Sequence, residues 1–173
     1  MEIEHFLNEF TKEIGFLLEE GVLIGKEEFD ELETGTFTLL FDIAIYNIAK
    51  RNNLTIIPEN PVGRGGYSDM TLCSSDGKDK LIEIEHENKP LRKKNKRFVI
   101  YNALDKLMSQ NAKYKVLITY TYKGTSKDID DRELKKLCIE YLNKKYPTRK
   151  NIFLFYADNE FNAQEKFVKF ELF

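Results

Sequence analysis

The chain has no tryptophan, only two cysteines and four prolines, and a formal net charge of −2 over 173 residues. Each scarcity narrows the field. Cys73 and Cys138 stand alone, without a metal-ligand spacing, and no basic stretch followed by an apolar signal segment opens the chain. A reduced, cytoplasmic protein is expected. No uninterrupted apolar run approaches the ~20 residues that a bilayer-spanning helix needs, so no membrane-embedded role is expected. Internal repeats, low-complexity tracts and an interdomain linker are missing too, which leaves residues 1–173 as one domain with one well-buried core. The small net charge and a pI near 5.8 do not advertise a nucleic-acid binder.

What is present is unevenly distributed charge. Residues 1–33 hold eleven acids against Lys12 and Lys26, whereas Lys89, Arg92, Lys93, Lys94, Lys96 and Arg97 crowd a short stretch that has no acid. Apolar periodicity predicts an amphipathic helix from near Glu4 to Glu20, stopped by Gly21, and a more apolar helix from Thr36 to Arg51 lying against a sheet. Leu54 to Ile57 reads as a short buried strand ended by Pro58 and Pro61, and Gly63-Arg64-Gly65-Gly66 as a flexible connection without a P-loop pattern. A hairpin of two strands follows. Val99 to Asn111 and Asp130 to Tyr146 read as helices, and Lys115 to Tyr122, Ile152 to Tyr156 and Lys166 to Leu172 as strands. Tyr120, Tyr122 and Tyr156 read as sheet packing, since no repeated aromatic motif marks a base-stacking platform.

The hairpin carries the chemistry. Its first strand, Tyr67-Ser68-Asp69-Met70-Thr71-Leu72, is followed by Leu81-Ile82-Glu83-Ile84-Glu85-His86-Glu87-Asn88-Lys89. Isoleucines occupy one face of the second strand, while Glu83, Glu85 and Glu87 share the other. Like charges in a row repel. The pattern reads either as the solvated face of an edge strand balanced by lysines, or as a face turned toward a divalent cation. Met70 and Leu72 join Ile82 and Ile84 in the core only if paired residue numbers sum to an even value, which a three-residue Ser75-Asp76-Gly77 loop delivers with Gly77 in the left-handed position. Asp69 then shares a face with the glutamates, and Glu85 and Glu87 lie roughly 6 to 7 Å apart. His86 falls on the core side as a packed, hydrogen-bonded histidine.

Helix, three strands, helix, strand from Thr36 to Tyr122, with an aspartate in the second strand and acids in the third, resembles the core of the PD-(D/E)xK nuclease superfamily. The resemblance covers about half the chain, residues 36–122. It implies an α/β, restriction-endonuclease-like mixed sheet flanked by helices, with terminal additions, and a metal bound by Asp69 and an acid of the third strand. Glu87-Asn88-Lys89 is a literal ExK, whereas Glu85-His86-Glu87 sits better against the apolar stretch and carries Glu where Lys is usual. Some restriction endonucleases of the superfamily resemble that variant. Asp69 and Glu85 are therefore the expected metal ligands, Glu87 the water-activating group, and Lys89 the rival for the lysine role. Ser68 stands where the family often has Pro. Asp42 is the candidate helix acid, with Glu33 behind it, although an acid there also suits a helix edge meeting solvent.

The residue types suit this chemistry on their own. Mg²⁺, with Mn²⁺ as substitute, accepts one or two carboxylates and keeps positions for water and phosphate. Metal-assisted phosphodiester hydrolysis follows as the expected reaction. The basic run from Lys89 to Arg97 would neutralise phosphates of a nucleic acid, DNA foremost. A homodimer fits an enzyme that cuts two strands. The alternative is a non-catalytic protein of the same fold that binds nucleic acid or a protein partner; the Glu in place of Lys and the mild acidity favour it.

Overall fold

The computed structural model describes residues 1–19, 34–62, 66–87, 95–121, 131–148, 151–158 and 168–171. Glu33, Arg64, Tyr122 and residues 89–94, which include Lys89, lie outside them. The order of elements is α1 (Ile3–Glu19), α2 (Thr34–Arg51), β1 (Thr55–Val62), β2 (Gly66–Cys73), β3 (Lys80–Glu87), α3 (Lys96–Ser109), β4 (Tyr114–Thr121), α4 (Asp131–Lys145), β5 (Ile152–Asp158) and β6 (Val168–Glu171). All strands join one mixed sheet in chain order, β1-β2-β3-β4-β5-β6. The β1–β2, β2–β3 and β5–β6 pairs are antiparallel, and β3–β4 and β4–β5 are parallel.

Strand alternation sends side chains to two separate cores. On one face Leu72, Ile82, Ile84, Val116 and Ile118 pack with Phe6, Phe10 and Ile14 of α1 and Leu40, Phe41, Ile45 and Ile48 of α2. On the other, Leu117, Ile152 and Leu154 pack beneath Ile100, Ala103, Leu104 and Leu107 of α3 and Leu134, Cys138 and Leu142 of α4. Helix α1 is thus part of the first core, and polar links fix it. Asn47 and Arg51 of α2 donate to the two carboxylate oxygens of Glu13 at 2.7 and 2.6 Å, and Lys113 donates to Glu2 at 2.9 Å. Helix α2 ends where Asn53 turns left-handed (φ 52°), a conformation asparagine tolerates at a helix C-terminus, and the Leu54 N–H returns to the Ala49 carbonyl at 2.9 Å.

Two expectations about strand limits are corrected. Pro58 and Pro61 do not end β1; they lie within it, paired with Met70 and Tyr67. The strand is at the sheet edge, and with the two prolines three residues apart only one of them faces β2, so a single ladder position lacks its N–H. The hairpin loop is not Ser75-Asp76-Gly77 but the longer Ser74 to Asp79 connection, with a register shift between Leu72 and Cys73. Gly77 is left-handed as expected (φ 73°). Ser74 organises the turn: its carbonyl accepts from the Gly77 N–H at 2.8 Å, and its hydroxyl bonds the Asp76 carboxylate at 2.6 Å and the Asp79 N–H at 3.0 Å. The parity survives the longer loop. Met70 pairs with Ile84, Thr71 with Glu83 and Leu72 with Ile82.

Candidate functional site

The even register puts Asp69, Thr71, Glu83, Glu85 and Glu87 on the face covered by α3, opposite the isoleucines. This face is not a solvated edge. Strand β3 is internal to the sheet, and Glu83 and Glu85 are 0% and 2% exposed. Buried carboxylates need partners. Glu83, lower on the strand, accepts a hydrogen bond from the Thr71 hydroxyl at 2.8 Å and stands opposite Lys115 of β4 in the parallel register.

One turn of the pleat higher, Asp69 and Glu85 come together. The Asp69 carboxylate accepts the backbone N–H of His86 at 2.6 Å, which holds its side chain against β3 just beyond the Met70–Ile84 pair. Glu85 is ion-paired through Oε1 with the Lys106 ammonium, contributed by α3. Its Oε2 is buried and has no hydrogen-bond partner among the described residues. Burial, and after it the charge of Asp69, push the Glu85 carboxyl up to about 8, against the pull of Lys106. The Lys106 ammonium is correspondingly held above its usual range by Glu85, with Asp69 and Glu87 adding to the effect, against desolvation. The lysine stays charged, and among the described residues its ammonium lies within electrostatic reach of Asp69, Glu85 and Glu87.

The other residues divide. Asp42 is half-buried, and its carboxyl is raised first by burial and then by the charge of Asp69, so α2 does bring an acid within electrostatic reach of the hairpin. Glu87 is partly exposed at the end of β3, level with Thr119 of β4. His86 turns to the other face, where its ring meets Phe41 edge-on at 4.6 Å and burial pushes its pKa down to about 4. It is a neutral packing residue, as its position implied. Of the basic run, Lys96 is ion-paired with Glu133 of α4, which ties it to the fold, whereas Arg97 and Phe98 are exposed, Phe98 by 72%.

Lys106 was not legible as a site residue. It lies in the last turn of α3 with no motif around it, and its link to Glu85 spans 21 positions. The only sequence signal is a lysine on a helix whose other core-facing positions, Ala103, Leu104, Leu107 and Met108, are apolar.

Among the described residues no three His, Cys, Asp or Glu side chains are grouped as a ready metal cage. A hard cation that keeps most of its waters needs only one or two protein carboxylates, a number that the Asp69 and Glu85 pair matches. The free Glu85 Oε2 is a ligand atom of the right kind. Comparison with protein families, with curated proteins and with solved structures finds no match for this chain. Among the described residues no helix is long and apolar enough to cross a membrane.

Proposed function

We propose that the protein is a metal-dependent nuclease that hydrolyses phosphodiester bonds, in DNA foremost, on a restriction-endonuclease-like variant of its α/β architecture. The observation that carries this reading is the convergence of Asp69, Glu85 and Lys106, two acids of a hairpin and a cation from the next helix, around a carboxylate oxygen that no described protein group bonds. A purely structural ion pair would gain from closing both oxygens of a buried carboxylate. The helix order around the hairpin supports the same reading.

In this mechanism Asp69 and Glu85 would hold Mg²⁺ or Mn²⁺, which would supply Lewis acidity to a phosphoryl oxygen and to water. Glu85 must be ionised to ligate, and Lys106 favours that state. The Lys106 ammonium would also offset negative charge brought in by phosphate, a part that a lysine of the third strand would otherwise play. Glu87, at the open end of β3, orients and accepts a proton from the attacking water. Arg97 and the preceding basic segment neutralise backbone phosphates.

Incubation of the purified protein with duplex and single-stranded oligonucleotides, with Mg²⁺ or with chelator, tests the proposal. Cleavage is expected with Mg²⁺ alone and is expected to vanish in Asp69→Ala and Glu85→Ala while circular dichroism stays unchanged. Wild-type rates in either variant would remove that residue from the mechanism. A second reading, binding without cleavage, draws on the same ion pair: Lys106 already neutralises Glu85, so the protein needs no metal to keep this face buried. Retention of an oligonucleotide without cleavage under any divalent ion would favour it.

A further inference from the structure

Glu85 Oε2 has a counterpart on the neighbouring strand. The Thr119 hydroxyl of β4 is likewise fully buried without a hydrogen-bond partner among the described residues, and Thr119 is 0% exposed. The two are on the same face. In the parallel register Glu85 stands opposite Leu117 and Glu87 opposite Thr119. Leu117 belongs to the core under α3 and α4, whereas Val116 and Ile118 belong to the core under α1 and α2. Alternation therefore puts Thr119 on the side of Leu117, diagonal to Glu85 across one strand spacing and two residues, about 8 Å between Cα positions. A glutamate side chain and one water molecule span that gap.

We propose that Thr119 is a positioning residue of the site, its hydroxyl holding one water of the hydrated divalent cation that Glu85 Oε2 would ligate. The inference rests on the metal-dependent reading. A carboxylate oxygen suits the ion itself and a hydroxyl can accept from a water that the ion carries, so a hydrated cation satisfies both at once. Leu117, the preceding residue of β4 on the same face, has no polar side-chain atom, and a valine at 119 would fill nearly the same shape without a buried hydroxyl to satisfy. Mg²⁺ gives up its waters reluctantly, so gripping one of them from the protein side is a means of holding the ion with few direct ligands. Groups that orient a metal's ligands from outside its first shell commonly govern affinity by ten- to a hundredfold.

Calorimetric titration of wild type, Thr119→Val and Thr119→Ser with Mn²⁺ and Mg²⁺, without nucleic acid, tests this alongside thermal unfolding of each. Thr119→Val is expected to bind about tenfold or more weakly while unfolding at the same or a higher temperature, and Thr119→Ser to restore binding. Should Thr119→Val fail to fold, Thr119→Ala provides the same comparison. Equal affinity in wild type and the hydroxyl-free variant overturns this proposal and leaves the metal site standing. Absence of ion binding by wild type overturns both.

Discussion

At the scale of single residues, Glu85 is a buried acid whose environment is far from water. Burial and the neighbouring Asp69 favour its protonated form in the folded chain, with a pKa near 8 against 4.5 for a free glutamate. In the unfolded chain the proton leaves first as pH rises. The folded protein therefore binds more protons between those two values, and its stability falls as pH rises through that window. Below pH 4.5 the contribution is complete; above about 8 it is gone, a loss on the order of a few kcal/mol. Glu85→Gln, neutral at every pH, should abolish this slope. Urea unfolding of both proteins at several pH values between 5 and 9 checks it: the difference in stability should shift toward the variant as pH rises, and a pH-independent difference would mean that Glu85 is ionised throughout. Added Mg²⁺ should steady the wild type at the upper end, because it binds the ionised carboxylate.

Between secondary-structure elements, geometry depends on the hairpin keeping its parity. The Ser74 to Asp79 turn holds Met70 against Ile84 and so delivers Asp69 to Glu85. Gly77 is the residue that permits it, since its φ of 73° strains any residue with a Cβ although nothing within 4 Å would obstruct one. Gly77→Ala should cost about 1 to 2 kcal/mol, seen as a lower urea midpoint with an unchanged slope. Much of this level was legible in the sequence. Among the described residues apolar periods located the helices and strands to within about three residues, the end of β1 excepted, because both sheet faces are covered and each position is either core or not. The misjudged ends share a cause. Prolines end a strand where both of its edges are bonded, and β1, bonded on one side only, loses a single ladder position to them; loop length is set by side-chain bonds of Ser74 and Asp76 that no hydrophobic pattern records. The site was half legible for a similar reason. Acids that interrupt an apolar strand betray themselves, but Lys106 comes from an ordinary helix and only the tertiary fold brings it to Glu85; Thr119, proposed above as its companion, is an ordinary β-branched strand residue.

Across the whole molecule, a net charge of −2 supplies no general attraction for a polyanion, so any nucleic-acid affinity must come from a local field. The basic stretch that leads into α3 is the place for it, and its members are not equivalent. Lys96 is engaged with Glu133 of α4, so reversing it would disturb the packing of α3 on α4 as well as any phosphate contact. Arg97 is exposed on the first turn of α3. Reversal of Arg97 to Glu, alone and with Lys94→Glu, should weaken binding of a labelled duplex uniformly across sequences while leaving thermal stability within experimental scatter. Fluorescence anisotropy at several salt concentrations gives the decisive quantity, the slope of log affinity against log salt. Each lost phosphate contact should make that slope shallower by about 0.9. A slope unchanged in the double variant would move the docking face away from the start of α3 and leave the proposed metal site without its proposed approach.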